Sequence, residues 1–269
     1  MRNDVLYKKQ NEKLLCIIPE SLAEDVVNFL HIQSMHRGLK SLRRLIHRSN
    51  IFLKNMTKIS HSIVTRCLWC QFNTRKHKRN DHQVVHKPSF QPFQAVCLDL
   101  MEFTFASKTI YLLTFLDLFS LMVDSEIIHS KSSEVVSSAI LRLAMRYNCS
   151  FRSTFLTDNG REFKNRQLET MLKELGIIQN FTSPYNSRAN RIERCHREIR
   201  HNLKVLAPNG MTFSHKISLA ISAWNNTPQK GLDFQSPSEI LYGFPPLNHL
   251  GFLVPKEDQF SQIDNISSD

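Results

Sequence analysis

The apolar positions of this chain change period along its length. From Glu20 to Leu30 (ESLAEDVVNFL) they recur at three and four, and Glu20, Glu24 and Asp25 sit where a helix N-terminus favours negative charge. Two further segments of helical spacing follow, LKSLRRLIHRS at 39–49 and MTKISHSIVTRC at 56–67. Together they predict a small all-α unit with little core of its own. The stretch 73–92 (NTRKHKRNDHQVVHKPSFQP) is polar, basic and proline-bearing, and reads as a linker. Beyond it the apolar runs become strand-like: QAVCLDLMEF at 94–103, TIYLLTFLDL at 109–118 and LMVDSEII at 121–128. A helix capped by Ser132 or Ser133 then runs to about Tyr147, followed by a strand at 153–157 and a helix from Asn165 to Leu175 closed by Gly176. A short strand at 177–181 and helices near 191–206 and 213–225 come last. This order predicts a mixed α/β fold with an antiparallel meander in front. The chain therefore divides into a helical unit at 1–72, a linker at 73–92, an α/β unit at 93–250 and a polar tail at 251–269.

Charge sharpens that division. Residues 1–80 hold 16 Lys/Arg and 5 Asp/Glu, a net +11, whereas the remainder holds 19 of each sign. A basic segment joined to a neutral α/β unit suggests a module for a polyanion, with nucleic acid the favoured partner over a basic surface kept for solubility. No run of about 18 apolar residues predicts a membrane span. The N-terminus has no apolar core of signal-peptide type. Of the six cysteines only Cys67 and Cys70 are closely spaced, a reduced pattern rather than a disulfide framework.

Those two cysteines have company. HIQSMH supplies His31 and His36, and CLWC supplies Cys67 and Cys70. Either pair alone carries little, since CxxC also serves redox chemistry. Two pairs within one small basic unit supply the four N and S ligands of a closed tetrahedral Zn²⁺ site. The role expected of that zinc is structural, holding a DNA-binding or self-association module together.

A second constellation is acidic. Asp99 interrupts an apolar strand (AVCLDLMEF), where a carboxylate is costly unless paired or metal-bound. Asp158 opens TDNGREF, which is also ordinary turn composition. Asp117 and Asp124 compete with Asp99 as strand carboxylates, and the local pattern does not separate them. Strand carboxylates joined by a helix-borne one can hold two divalent ions about 4 Å apart, suited to phosphodiester chemistry with Mg²⁺ or Mn²⁺.

In this order the residues resemble the integrases of the gypsy class of LTR retrotransposons, relatives of retroviral integrases. His31, His36, Cys67 and Cys70 are similar to the family's N-terminal zinc domain, and Asp99, Asp158 and Glu193 (in RIER) align with its three acidic residues. AWNNTPQKG at 223–231 and SPSEILYGFPP at 236–246 are similar to its Trp-Asn-x-Thr-Pro and Ser-Pro-x-Glu segments. The resemblance covers about residues 7–246. It implies an RNase H-like catalytic core whose metal-binding triad is Asp99, Asp158 and Glu193. It also implies 3′-end processing and strand transfer on double-stranded DNA, both element ends and target, by a homo-oligomer. The expected location is the nucleus, or a cytoplasmic particle before nuclear entry. The rival expectation is a catalytically inactive, integrase-derived DNA-binding protein, and a nuclease of the same fold would leave the His/Cys module unexplained.

The match departs from the family pattern before Glu193. Tyr185 is followed by Asn186, Ser187 and Arg188, no glycine precedes Arg191, and the 34 residues between Asp158 and Glu193 are one fewer than usual. A deletion absorbed in the loop leaves Glu193 in place, whereas one absorbed in the helix rotates it by about 100°. On that helix Ile192, Cys195, Ile199, Leu203 and Leu206 form the apolar stripe. Glu193 lies at its edge in line with Arg197, Arg200 and Lys204, so it is either the salt-bridge partner of Arg197 or a metal ligand. In the second case Arg191, Arg194, Arg197, Arg200 and Lys204 grip DNA phosphates. Glu198 lies on another face, and Glu162 is a supporting carboxylate beside the Asp158 turn. After Pro246 the polar-leaning remainder leaves no room for the small β-barrel or chromodomain that many relatives append, and RKHKR at 75–79 is either a nuclear address or a phosphate contact.

Overall fold

A computed structural model describes residues 5–10, 13–73, 89, 91–105, 108–182, 189–206 and 210–244. The basic run at 75–79, most of the expected linker, the altered loop at 183–188 and the tail at 251–269 lie outside the described residues. The described chain forms two compact units. The first comprises residues up to 73 with Thr227–Gln235, and the second the described residues from 89 to 226 with Ser236–Phe244.

The first unit contains helices α1 (Glu20–Gln33), α2 (Leu39–Arg48), α3 (Met56–Arg66) and α4 (Leu68–Asn73). It is not all-α. Strand β1 (Tyr7–Gln10) pairs antiparallel with β2 (Lys13–Ile17), and β3 (Ile51–Phe52) pairs parallel with β2 through Cys16 opposite Ile51. The reason these strands escape a periodicity reading is physical. β1 is polar (YKKQ) and β3 is two residues long, so neither carries an apolar alternation. Their addition enlarges the core, in which Cys16, Ile51 and Leu53 pack with Val27, Leu30, Leu42, Ile46 and Ile63.

In the second unit, β4 (Ala95–Phe105), β5 (Lys108–Asp117), β6 (Val123–Ile128), β7 (Thr154–Thr157) and β8 (Ile178–Phe181) form one sheet of order β6-β5-β4-β7-β8. β5 runs antiparallel to β4 and β6, whereas β7 is parallel to β4 and β8. Helices α5 (Ser133–Arg146), α6 (Arg166–Glu174), α7 (Ala189–Val205), α8 (Phe213–Asn225) and α9 (Pro237–Tyr242) complete it. Alternation along β4 serves two buried layers. Val96 and Leu98 join Phe115 and Phe155 in a layer with Val136, Ile140 and Leu143 of α5 and Leu168 and Leu172 of α6. Cys97 and Met101 point the other way, into a layer with Leu112, Leu116, Leu156, Ile192, Cys195, Ile199 and Trp224. Each fully buried large apolar side chain contributes about 1.5–3 kcal/mol, so these layers fix the strand register firmly.

The helix ends follow local rules. Ser132 caps α5 through the Val135 N–H, and Asn165 caps α6 through the Leu168 N–H at 2.9 Å. Gly176 closes the segment at φ 68°, and a Cβ there would lie 2.3 Å from the Phe151 ring. α9 begins with a capping box between Ser236 and Glu239, has Pro237 in its first turn, and ends at Gly243 with φ 79°.

Candidate active site and metal centre

The register of two parallel strands brings the first two carboxylates together. Cys97 of β4 pairs with Leu156 of β7, and two residues further on stand Asp99 and Asp158. Because side chains alternate, both acids share the face of Cys97 and Leu156, the face that α7 covers. Glu193 follows Ile192, whose side chain is buried in that same layer, so the helix delivers its carboxylate beside the strand ends. Asp99 records the meeting. Its pKa is pushed up to about 6, first by burial, against the opposing pull of the Leu100 N–H, and then by the negative charges of Asp158, Glu193 and Glu162.

Each carboxylate is held differently. Asp99 Oδ1 accepts from Leu100 N at 2.8 Å. Asp158 Oδ1 accepts from Gly160 N at 2.9 Å, closing an Asx turn. A Cβ at Gly160 would lie 2.7 Å from Glu162 Oε2 and 3.0 Å from Asp158 Oδ1, so a side chain there would push the Glu162 carboxylate aside. The turn is tied to the end of β8 by Thr182 N donating to Thr157 O at 2.8 Å. Glu193 is exposed and makes no hydrogen bond or ion pair among the described residues, so the bridge to Arg197 does not form. Among the described residues none of these acids is ion-paired with Lys or Arg.

The competing strand acids have other work. Asp117 is fully buried and accepts from the N–H groups of Phe93 (2.9 Å) and Ser120 (2.9 Å) and from the Ser120 hydroxyl (2.6 Å), fixing the turn after β5. Asp124 is ion-paired with Arg146 and accepts from the Tyr147 hydroxyl at 3.0 Å. This tertiary pairing separates them from Asp99, which the local pattern of the strands does not.

Two further residues adjoin Asp99 that sequence reasoning did not bring forward. The Thr114 hydroxyl donates to Asp99 O at 2.9 Å and lies 2.7 Å from His196 Nε2. With the hydroxyl hydrogen directed to the carbonyl, Nε2 carries the ring proton and donates to Oγ1, which leaves Nδ1 bare toward Asp99 Oδ2 at 3.6 Å. That contact is not an ion pair, because burial and then Arg200 hold the His196 pKa down at about 4. A signal was available in the sequence: His196 lies three positions after Glu193, one turn along the helix.

Of the basic residues on α7, Arg194, Arg197, Arg200 and Lys204 are exposed. Arg200 lies over the Phe103 ring at 5.1 Å, and Arg191 donates to Leu118 O at 3.1 Å.

In the first unit, His31, His36, Cys67 and Cys70 place one ligand atom each within 4.8 Å of all the others, a group that could hold a metal ion. His31 comes from the last turn of α1, His36 from the turn after it, Cys67 from the cap between α3 and α4, and Cys70 from the first turn of α4. The separations are 3.1 Å for His31 Nε2 to His36 Nδ1, 3.2 Å for Cys67 Sγ to His36 Nδ1 and 3.4 Å for Cys70 Sγ to His31 Nε2. Tetrahedral bonds of about 2.0–2.1 Å to nitrogen and about 2.3 Å to sulfur set donors roughly 3.3–3.8 Å apart, close to this spacing. Burial, then His36, lowers the His31 pKa to about 4, while burial and then Cys67 push the Cys70 thiol up to about 12. The Trp69 ring packs against His36 with centroids 5.1 Å apart.

Residues 90–187 match the integrase core domain family. The Gag-Pol polyprotein of Gibbon ape leukemia virus is 25% identical over 254 residues, covering 89% of this chain and 14% of the polyprotein. The Pol polyprotein of Radiation murine leukemia virus (strain Kaplan) is 26% identical over 261 residues, covering 94% of this chain and 43% of the relative. The chain thus spans less than half the length of either polyprotein. A chain of the simian T-cell lymphotropic virus intasome, solved in complex with PP2A regulatory subunit B56 gamma, shares the fold with a TM-score of 0.53 at 19% identity, over 86% of this chain and 77% of that one. Residues 90–187, which span the five-stranded RNase H-like sheet from β4 to β8, thus match an integrase core domain, and the chain is similar to retroviral polyproteins over most of its length.

Proposed function

We propose that the protein is a DNA integrase that inserts element DNA into target DNA through Asp99, Asp158 and Glu193. The observation that carries this reading is the convergence of those three carboxylates, from β4, the β7 turn and α7, on one face of the sheet. Their fit to a divalent cation rests on the gathering of negative charge around half-buried Asp99 without a Lys or Arg ion-pair partner among the described residues. Mg²⁺ or Mn²⁺ bound by these residues supplies Lewis-acid stabilisation of the phosphoryl oxygens and a more acidic attacking hydroxyl.

Two displacements make up the reaction. Water attacks a phosphodiester near the element's 3′ end, the P–O3′ bond breaks, and a free 3′-hydroxyl remains. That hydroxyl then attacks a target phosphate and displaces the target's own 3′-oxygen, its proton passing to solvent. The chain's part is positioning. The Asx turn orients Asp158, the Thr114 hydroxyl, backed by His196, holds the Asp99 backbone carbonyl, and Arg194, Arg197, Arg200 and Lys204 meet DNA phosphates beside Glu193. Arg191, bound to Leu118 O, acts by fixing the start of α7. The His/Cys group is assigned a structural Zn²⁺ that ties α4 to α1. A homo-oligomer that holds paired DNA ends, working in the nucleus or in a cytoplasmic particle before nuclear entry, belongs to the same reading. Similarity of the segments at 223–231 and 236–246 to those of the gypsy class of LTR retrotransposons supports such an element as the source.

The test is strand transfer of a labelled short duplex into plasmid DNA with Mg²⁺ or Mn²⁺. Joined products from the wild-type chain are expected. Tight DNA binding without any joined product would instead establish the inactive DNA-binding descendant.

A further inference from the structure

Asp99 has a nitrogen neighbour as well as its acidic ones. His196 stands three positions after Glu193 on α7, on the same side of the helix. Its Nδ1 lies 3.6 Å from Asp99 Oδ2. Thr114 fixes how the ring presents its lone pair. The Thr114 hydroxyl donates to Asp99 O at 2.9 Å, so its oxygen accepts from His196 Nε2 at 2.7 Å. Nε2 therefore carries the ring proton, and Nδ1 of the neutral ring keeps an unshared pair. Asp99 Oδ1 is already taken by the Leu100 N–H at 2.8 Å, which leaves Oδ2 as the oxygen turned to the ring. Among the described residues no N–H or O–H donates to Nδ1 or to Oδ2.

A bare nitrogen and a carboxylate oxygen that face each other repel unless a proton or a cation lies between them. A separation of 3.6 Å is too long for a bridging proton. Two donors bound to one ion at about 2.0–2.2 Å stand about 2.8–3.6 Å apart, and the observed separation falls at the top of that span. Neither side chain is sealed, at 13% and 31% exposed, so an ion from solvent can reach both. Imidazole nitrogen suits first-row transition dications, whereas Mg²⁺ takes oxygen ligands.

We propose that His196 Nδ1 is a fourth protein ligand of the carboxylate site, binding the same divalent ion as Asp99 and Glu193 and biasing the site toward transition-metal dications over Mg²⁺. This role rests on the reading of Asp99, Asp158 and Glu193 as a metal triad. It gives His196 direct ligation in addition to its hold on Thr114.

Pulsed electron paramagnetic resonance of Mn²⁺ on the full-length chain tests it, with the His/Cys group filled by Zn²⁺ beforehand so that His31 and His36 contribute no signal. The wild-type spectrum should carry the nitrogen modulation of a directly bound imidazole, and His196→Gln should lose it. Competition between ions gives a second readout. His196→Leu should narrow the preference for Mn²⁺ over Mg²⁺ by about tenfold, whereas a residue that only supports Asp99 would weaken both ions alike. Bound Mn²⁺ without nitrogen modulation in the wild-type chain, or an unchanged preference in His196→Leu, would overturn the ligand. Triad variants measured alongside separate the two readings. Mn²⁺ binding that Glu193→Gln weakens, but that lacks nitrogen modulation in the wild type, removes His196 alone. Mn²⁺ affinity that neither Asp158→Asn nor Glu193→Gln lowers removes the triad, and the fourth ligand with it. Nitrogen modulation in a chain that never joins DNA supports the ligand and removes the integrase.

Discussion

The His/Cys group and the carboxylate group are both clusters of potential ligands, yet they are built in opposite ways. The first gathers two imidazoles and two thiols within 4.8 Å, beside the packed core of the first unit, with all four ligand positions supplied by protein. The second gathers acids that repel one another, with Asp158 and Glu193 exposed and Asp99 driven toward its protonated form. A closed neutral set suits one resident ion with no room for substrate, whereas an open anionic set suits ions whose remaining positions the substrate fills. Under the proposed function one region carries stability and the other chemistry, and each variant below is a way to break that division.

The largest effect is expected at the chemistry. Asp158→Asn should lower strand transfer on the order of 10³-fold or more while duplex binding and thermal stability hold, as followed by product gels and anisotropy. Next comes the first unit. Removal of zinc by a chelator, or Cys70→Ser, should cost it several kcal/mol, up to the roughly 10 kcal/mol seen where metal alone maintains a fold. Circular dichroism should then show loss of the helices at 20–73 with the sheet unit intact, and retained helicity would break the comparison on that side.

Asp99 offers a test with a sign. In the metal-free chain its folded pKa is about 6 against an ordinary value near 4. Between those values the folded chain holds a proton that the unfolded chain has released. Its contribution to stability is therefore complete below about pH 4 and lost as pH rises through about 6. Asp99→Asn should thus stabilise the metal-free protein by about 1–3 kcal/mol at pH 7 and remove that slope in denaturation curves. A smaller loss is expected behind the site. His196→Leu should reduce activity and Mn²⁺ affinity by about 10–100-fold, with His196→Gln, which keeps a donor near Nε2, recovering part of both.

How much of this was legible in the sequence depended on the length of the pattern. β4, β5 and α5 bury long apolar runs, and the stripe Ile192, Cys195, Ile199 announces α7 with its buried face. β1 and β3 could not be read, because four polar residues and two residues carry no period. α9 was missed although Ser236, Pro237 and Glu239 spell a capping box, since six residues are too few for an amphipathic repeat. At the site, a carboxylate within an apolar strand drew attention to Asp99, but local pattern did not separate it from Asp117 and Asp124, whose partners are made only after folding. Thr114 meets His196 across 82 positions of sequence, a pairing no local spacing contains.

Glu193 is the residue on which the account turns, because it was either the partner of Arg197 or a metal ligand. Mn²⁺ titration followed by electron paramagnetic resonance, with strand transfer on the same samples, decides between them. Glu193→Gln should weaken Mn²⁺ binding and abolish joining, while Arg197→Ala should keep wild-type Mn²⁺ affinity and lose only DNA affinity. A Glu193→Gln chain that binds Mn²⁺ and joins DNA like wild type would contradict the account.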